Sequence, residues 1–164
     1  MRPLVLCALA GVVLLGGTAA HAAVPVVART PGAELFELRG GNGRAAVSRL
    51  GSIFLSVRTG RVRIVDLPGG KRPFFNCGSR TLRRISSTTV EVRGTSIRCR
   101  VWSGDGGRPW QVIMRGRGIS ASGVVRGSLT LDAVSRGAPG TFRIGDGDLR
   151  RWPRNARTFV LRSE

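Results

Sequence analysis

Histidine is almost missing from this chain. His21 is the sole example among 164 residues, and it lies in a segment that reads as removable, so the mature protein is expected to have none. Without an imidazole a chain cannot build a Ser-His-Asp or Cys-His arrangement, nor the common His-containing zinc sites. Lysine is as scarce: Lys71 stands alone, and Pro68 occupies the place where a Ser-x-x-Lys motif needs its serine. The run Gly118-Ile119-Ser120-Ala121-Ser122 has Ser where a nucleophile elbow requires Gly. Gly40-Gly41-Asn42-Gly43-Arg44 is a Gly-rich stretch with no helical pattern and no Lys-Ser/Thr pair after it, so it is no phosphate-binding loop. Most familiar hydrolase chemistries are closed off, and no cofactor or resident metal is expected.

Acidic residues are few, nine in all, and they leave one catalytic route open. Glycoside cleavage needs only two carboxyl groups about 5 to 9.5 Å apart, and Glu91, Asp105, Asp146 and Asp148 are the candidates. Asp105 sits in Gly104-Asp105-Gly106-Gly107, and Asp146 with Asp148 in Gly145-Asp146-Gly147-Asp148. Asp and Gly favour such turns for local backbone reasons, and the second turn lacks the further oxygen ligands of a calcium loop. A carboxylate-dependent glycan hydrolase or lyase is therefore the alternative to a non-catalytic protein.

The N-terminus carries the three parts of a cleavable secretory signal: Arg2, an apolar run from Leu4 to Leu15, and small residues leading to Ala20-His21-Ala22. The apolar run of about twelve residues falls short of the roughly 20 that cross a bilayer as a helix. Cleavage after Ala22 leaves no transmembrane segment, and no Cys follows the cleavage site to carry a lipid. Residues 23–33, with Pro25, Pro31 and Gly32, form a lead-in, and 34–164 a single domain. Cys7 departs with the signal, so Cys77 and Cys99 remain as an even pair, expected to be disulfide-bonded in an oxidising compartment. Closing that loop contributes about 3 kcal/mol in the chain-entropy model. The destination is extracellular, periplasmic or at the cell envelope.

Beyond Glu34 the dominant pattern has period two, the mark of strands with one buried face. Ile53, Leu55 and Val57 alternate with Phe54, Ser56 and Arg58, as do Val62 and Ile64 with Arg61, Arg63 and Val65. Val90 and Val92 alternate with Glu91 and Arg93, then Ile97, Cys99 and Val101 with Arg98, Arg100 and Trp102. Gly60 and Gly94-Thr95 read as hairpin turns, the second placing Glu91 opposite Arg98 and Val90 opposite Cys99. Further strands are expected at Gln111–Met114, Val124–Arg126, Ser128–Leu131, Thr141–Ile144 and Thr158–Leu161. The Arg-Gly steps at Arg93-Gly94, Arg115-Gly116 and Arg126-Gly127 look like reused turns. Helical spacing is limited to a turn or two around Leu82 to Ile85. The fold class is all-β, an antiparallel β-sandwich or small β-barrel with Gly-rich hairpin turns at Gly40-Gly41, Gly69-Gly70, Gly106-Gly107 and Gly145 to Gly147.

What the chain has in excess is arginine. Removing Arg2 leaves 26 basic residues against nine acidic ones, a formal charge of +17. A GC-rich coding bias accounts for Arg over Lys but not for basic over acidic. Such a surplus attracts polyanions, and the guanidinium fork suits phosphate and carboxylate. Arg61 with Arg63, and Arg98 with Arg100, would each project two residues apart to one side of a sheet. Arg150, Arg151 and Arg154 surround Trp152, which either stacks on a ligand or packs under arginine stems. Trp110 likewise is a loop contact or a core residue. The expected function is an exported, non-catalytic binding module. Its candidate partners are an anionic wall polymer, an acidic glycan, a phospholipid surface or another protein, with nucleic acid bound only non-specifically. A structural envelope protein would instead spread its arginines evenly.

Overall fold

A computed structural model describes residues 32–68, 73–78, 81–103, 109–134 and 139–162. The signal segment, most of the lead-in, and the expected corners at Gly69-Gly70 and Gly106-Gly107, with Asp105, lie outside them. Among the described residues every regular element is a strand: β1 (Glu34–Asp66), β2 (Phe74–Asn76), β3 (Arg83–Arg84), β4 (Thr89–Trp102), β5 (Trp110–Ala133), β6 (Thr141–Ile144), β7 (Arg150–Arg151) and β8 (Arg157–Leu161). All pairings are antiparallel. The helical turn expected around Leu82 to Ile85 is replaced by β3, which pairs with β4 through Arg83 opposite Glu91.

The strands expected between Gln111 and Leu131 are passes of one long strand, β5, and both β1 and β4 run through the glycines that were read as hairpin turns. Gly60 lies opposite Gly94 on one side and Gly116 on the other, in the middle of continuous ladders. Glu91 therefore faces Arg63, not Arg98, and Val90 faces Ile64, not Cys99. The physical reason is that a Gly with positive φ serves a bend within a strand as well as a turn between strands. Gly43, Gly60, Gly94 and Gly116 have φ of +144°, +152°, +138° and +146°. A Cβ on Gly60 would lie 2.1 Å from the Arg115 carbonyl oxygen, and one on Gly116 2.1 Å from that of Thr59.

These bends fold the sheet over. Trp110 lies opposite Arg49, and Val125 lies opposite Gly51, so the ends of a segment that would span about 50 Å if extended are brought to neighbouring points on β1. The long strands thus pass back and forth between two tiers. Residues 43–49, 60–66, 89–94, 110–116 and 127–133, with β8, make the first; residues 34–39, 51–57, 97–102 and 119–125, with β2 and β6, make the second. Inward side chains from both tiers, among them Phe36, Val47, Ile53, Val62, Ile97, Met114, Ile119 and Leu129, join in a single buried cluster. The order β2-β4-β1-β5-β8 has ends that do not pair with each other, so the sheet is an open, folded-over sandwich and not a closed barrel.

The period-two reading of the buried face holds except around Glu91, which is buried beneath Arg63 and Arg93 while Val90 is half-buried. Ile53, Leu55, Val57, Val62, Ile64, Ile97, Cys99 and Val101 are all buried, while Phe54, Arg58 and Arg98 between them are exposed. Cys77 and Cys99 form the expected disulfide, with an S–S distance of 2.07 Å. It ties the segment after β2 to β4, and both cysteines are buried.

Candidate functional site

The register of the first tier assembles what local sequence keeps apart. Arg61 lies opposite Arg93 on one side and Arg115 on the other, and Arg115 lies opposite Arg44, which is followed by Asp132. Four arginines thus stand in a row across four adjacent strand passes, with one acid at its end. Neighbouring strands are about 4.8 Å apart, so the row is roughly 14 Å long at the backbone. Immediately beside it runs a parallel row of glycines, Gly94, Gly60, Gly116 and Gly43, which is the corner where these passes bend towards the second tier. Arg44, Arg115, Arg117 and Asp132, with Gly43 and Gly116, line a depression of about 580 Å³ at that corner.

Like charges directly opposite on neighbouring strands destabilise a sheet, so the partners of these arginines matter. Glu91 neutralises one end. Its side chain is wholly buried and accepts hydrogen bonds from Nε of Arg63, at 2.5 Å, and Nε of Arg93. Burial alone would push the Glu91 carboxyl up, but the hydrogen bonds and positive charges of Arg63 and Arg93 outweigh it and hold the carboxyl below its ordinary value. Arg61 and Arg115 have no ion-pair partner among the described residues. Nε of Arg44 is buried and lacks a hydrogen-bond partner there. Among the described residues, nothing neutralises the middle of the row.

Arg98 and Arg100 are not part of this row. They face outward on the second tier, where Arg98 lies opposite Ser56, and Arg100 opposite Phe54 and Asn76. The Arg100 guanidinium sits 4.9 Å from the Phe54 ring centroid and 5.0 Å from that of Trp102, and Phe74 stacks on Trp102 at 5.6 Å. On the same tier Glu37 accepts from Nε of Arg39 at 2.6 Å and from Arg143 at 3.1 Å. The hydrogen bond and charge of Arg39, helped by Arg143, hold the Glu37 carboxyl below its ordinary value.

Arg150 and Arg151 form β7, and Arg154 follows it; all three are exposed. Arg151 lies opposite Thr141, which in turn lies opposite Arg39, so this group extends the second tier away from the row. Trp152 is buried between them, donating Nε1–H to the Thr141 carbonyl at 3.1 Å. A Cβ on Gly41 would lie 2.3 Å from its ring. Trp110 is wholly buried at the start of β5. Both tryptophans are core residues in this fold. Asp146 and Asp148 are exposed in the segment after β6, and no group of three or more His, Cys, Asp or Glu side chains is gathered for a metal among the described residues.

Sequence reading singled out Arg61 but missed Arg93, Arg115 and Arg44 as its neighbours. A signal was present. Every member adjoins a glycine, and the order alternates as Arg93-Gly94, Gly60-Arg61, Arg115-Gly116, Gly43-Arg44, as antiparallel strands require if arginines and glycines are each to align. No family model, no curated protein and no solved structure matches this chain.

Proposed function

We propose that this protein is an exported, non-catalytic binding module that adheres to an anionic polymer through the arginine row. The observation that carries the reading is the placing of Arg61 and Arg115 side by side, between Arg93 and Arg44, with no carboxylate among the described residues paired to either. Cross-strand repulsion makes such a row a cost to the fold, and a polyanion laid along it removes that cost. A row of about 14 Å meets several charged units of a polymer and suits a chain better than a single small anion. The buried disulfide is consistent with an oxidising compartment, and such compartments offer phosphate- or carboxylate-bearing wall polymers and acidic glycans. Binding to nucleic acid is then only the non-specific kind that any cationic surface gives.

The test is equilibrium binding of the mature domain to a panel of anionic polymers as salt is raised. Replacing Arg61 and Arg115 together by Gln should weaken binding and reduce the slope of log K against log salt by about 1.5, since each lost contact accounts for roughly 0.7 to 0.9. Replacing Arg150 and Arg151 should change both far less. Equal losses from the two double variants would mean that binding follows net charge and not the row, and the proposal would fall.

A further inference from the structure

The outer face of the second tier holds a depression of about 540 Å³ that is chemically unlike the arginine row. Its floor is Ser56, Ser120 and Ser122 on adjacent passes of β1 and β5. Ser120 Oγ accepts the Gly40 N–H at 3.0 Å, which leaves its own hydrogen to donate. The hydroxyls of Ser56 and Ser122 bond to no described residue. Arg98, Arg100 and the exposed ring of Phe54 form one wall, with Glu37 and Arg39 across the floor. Arg100 is fixed between two aromatic rings, and its Nε is shielded from solvent without a hydrogen-bond partner among the described residues.

We infer that this depression is a separate binding site for one acidic sugar unit, with the sugar carboxylate on Arg98 and Arg100. The ring-held guanidinium is a pre-oriented fork for a carboxylate. Glu37 stays ionised beside Arg39 and Arg143, so it repels a ligand carboxylate and directs it to the opposite wall. The remaining lone pairs of Glu37 and the serine hydroxyls then face the sugar hydroxyls, and Phe54 offers its ring to the apolar C–H face of the pyranose. A single ligand class uses all of these groups: one negative charge, several hydroxyls and one apolar face on a compact ring. A bilayer surface is planar and leaves the serine floor unused. The site stands whether or not the arginine row holds a polymer.

The experiment is a titration of the mature protein with trigalacturonate, followed by amide resonances. Maltotriose, inorganic phosphate and phosphatidylglycerol vesicles serve as comparators. Saturable shifts should centre on Phe54, Ser120 and Ser122, and maltotriose should produce none. Arg100→Lys, which keeps the charge but loses the fork, should weaken binding about tenfold, the loss expected for one charge-assisted hydrogen bond. Ser122→Gln, an outward change that leaves the core intact, should weaken it by occupying the floor, and Arg61→Gln should leave these shifts unchanged. The inference is overturned if maltotriose or phosphate binds as well as trigalacturonate, if vesicles bind through Phe54 in its place, or if Arg100→Lys has no effect. Shifts confined to Arg44, Arg61 and Arg115 would overturn it too while leaving the polymer reading intact.

Discussion

The two outer faces are built from the same three long strands, yet they arrange their arginines differently. On the second tier Arg39 and Arg143 share Glu37, and Arg100 is stacked between Phe54 and Trp102. On the first tier Arg61 and Arg115 stand beside other arginines without a partner among the described residues, and only the end near Glu91 is neutralised. An arginine that is paired or stacked has a sufficient structural reason to be where it is. Arg61 and Arg115 have none among the described residues, and this is why the row carries the polymer proposal while overall charge does not.

The glycine corner divides the two faces, so breaking it gives the largest effect. Gly60→Val places a Cβ 2.1 Å from the Arg115 carbonyl oxygen at a φ of +152°, and the clashing atom is backbone that cannot swing away. A loss of about 3 kcal/mol or more is expected in denaturant unfolding. Gly94→Ala is the control. It meets nothing within 4 Å and bears only the positive φ, so it should cost about 1 to 2 kcal/mol. Equal losses at the two positions would mean that close approach of strands is not what the row of glycines provides.

Glu91 comes next, because it is where the first tier borrows the second tier's device. Glu91→Gln leaves Arg63 and Arg93 without their counter-charge. Both arginines reach solvent, with side chains 39% and 57% exposed, so the loss should be nearer 2 kcal/mol than the full penalty of a buried broken pair. The carboxyl is held below its ordinary 4.5 in the folded state. Its contribution is therefore complete above about pH 4.5, and is lost as pH falls through the lower folded value. The variant should be less stable at pH 7 and show a flatter acid limb than the parent. An unchanged acid limb would place the acid sensitivity elsewhere.

Sequence carried the strands and withheld their neighbours. The alternation of Ile53, Leu55 and Val57 with polar residues is a local consequence of burying one face, and it survives in the structure. Gly60 and Gly94 were legible as points of unusual backbone, but a hairpin turn and a mid-strand bend use the same residue and the same sign of φ. What separates them is the partner strand, which is decided by contacts far away in the chain. The site shares that limit. Arg61 and Arg63 are close in sequence, yet Arg63 is engaged by Glu91 while Arg61 faces Arg93 and Arg115. Trp110 and Trp152 were ambiguous for the reverse reason, since an aromatic beside Gly, Pro or Arg reads alike whether it caps a core or meets a ligand.

The smallest predicted effect discriminates most sharply, because its sign differs between the faces. Arg61 lies opposite arginines on both sides, so Arg61→Gln removes two like-charge contacts and should stabilise the fold by about 0.5 kcal/mol at low salt. The gain should fade as salt screens the repulsion. The same change at Arg100 removes a cation held over two rings and should destabilise by about 1 kcal/mol, with little response to salt. An arginine kept for binding alone, as Arg61 is proposed to be, is one whose removal relieves the fold and weakens adhesion together, whereas Arg100 serves its depression and the fold at once. If Arg61→Gln lowered stability at every salt concentration, Arg61 would be a structural residue, and the row would lose the feature that distinguishes it from the rest of a basic surface.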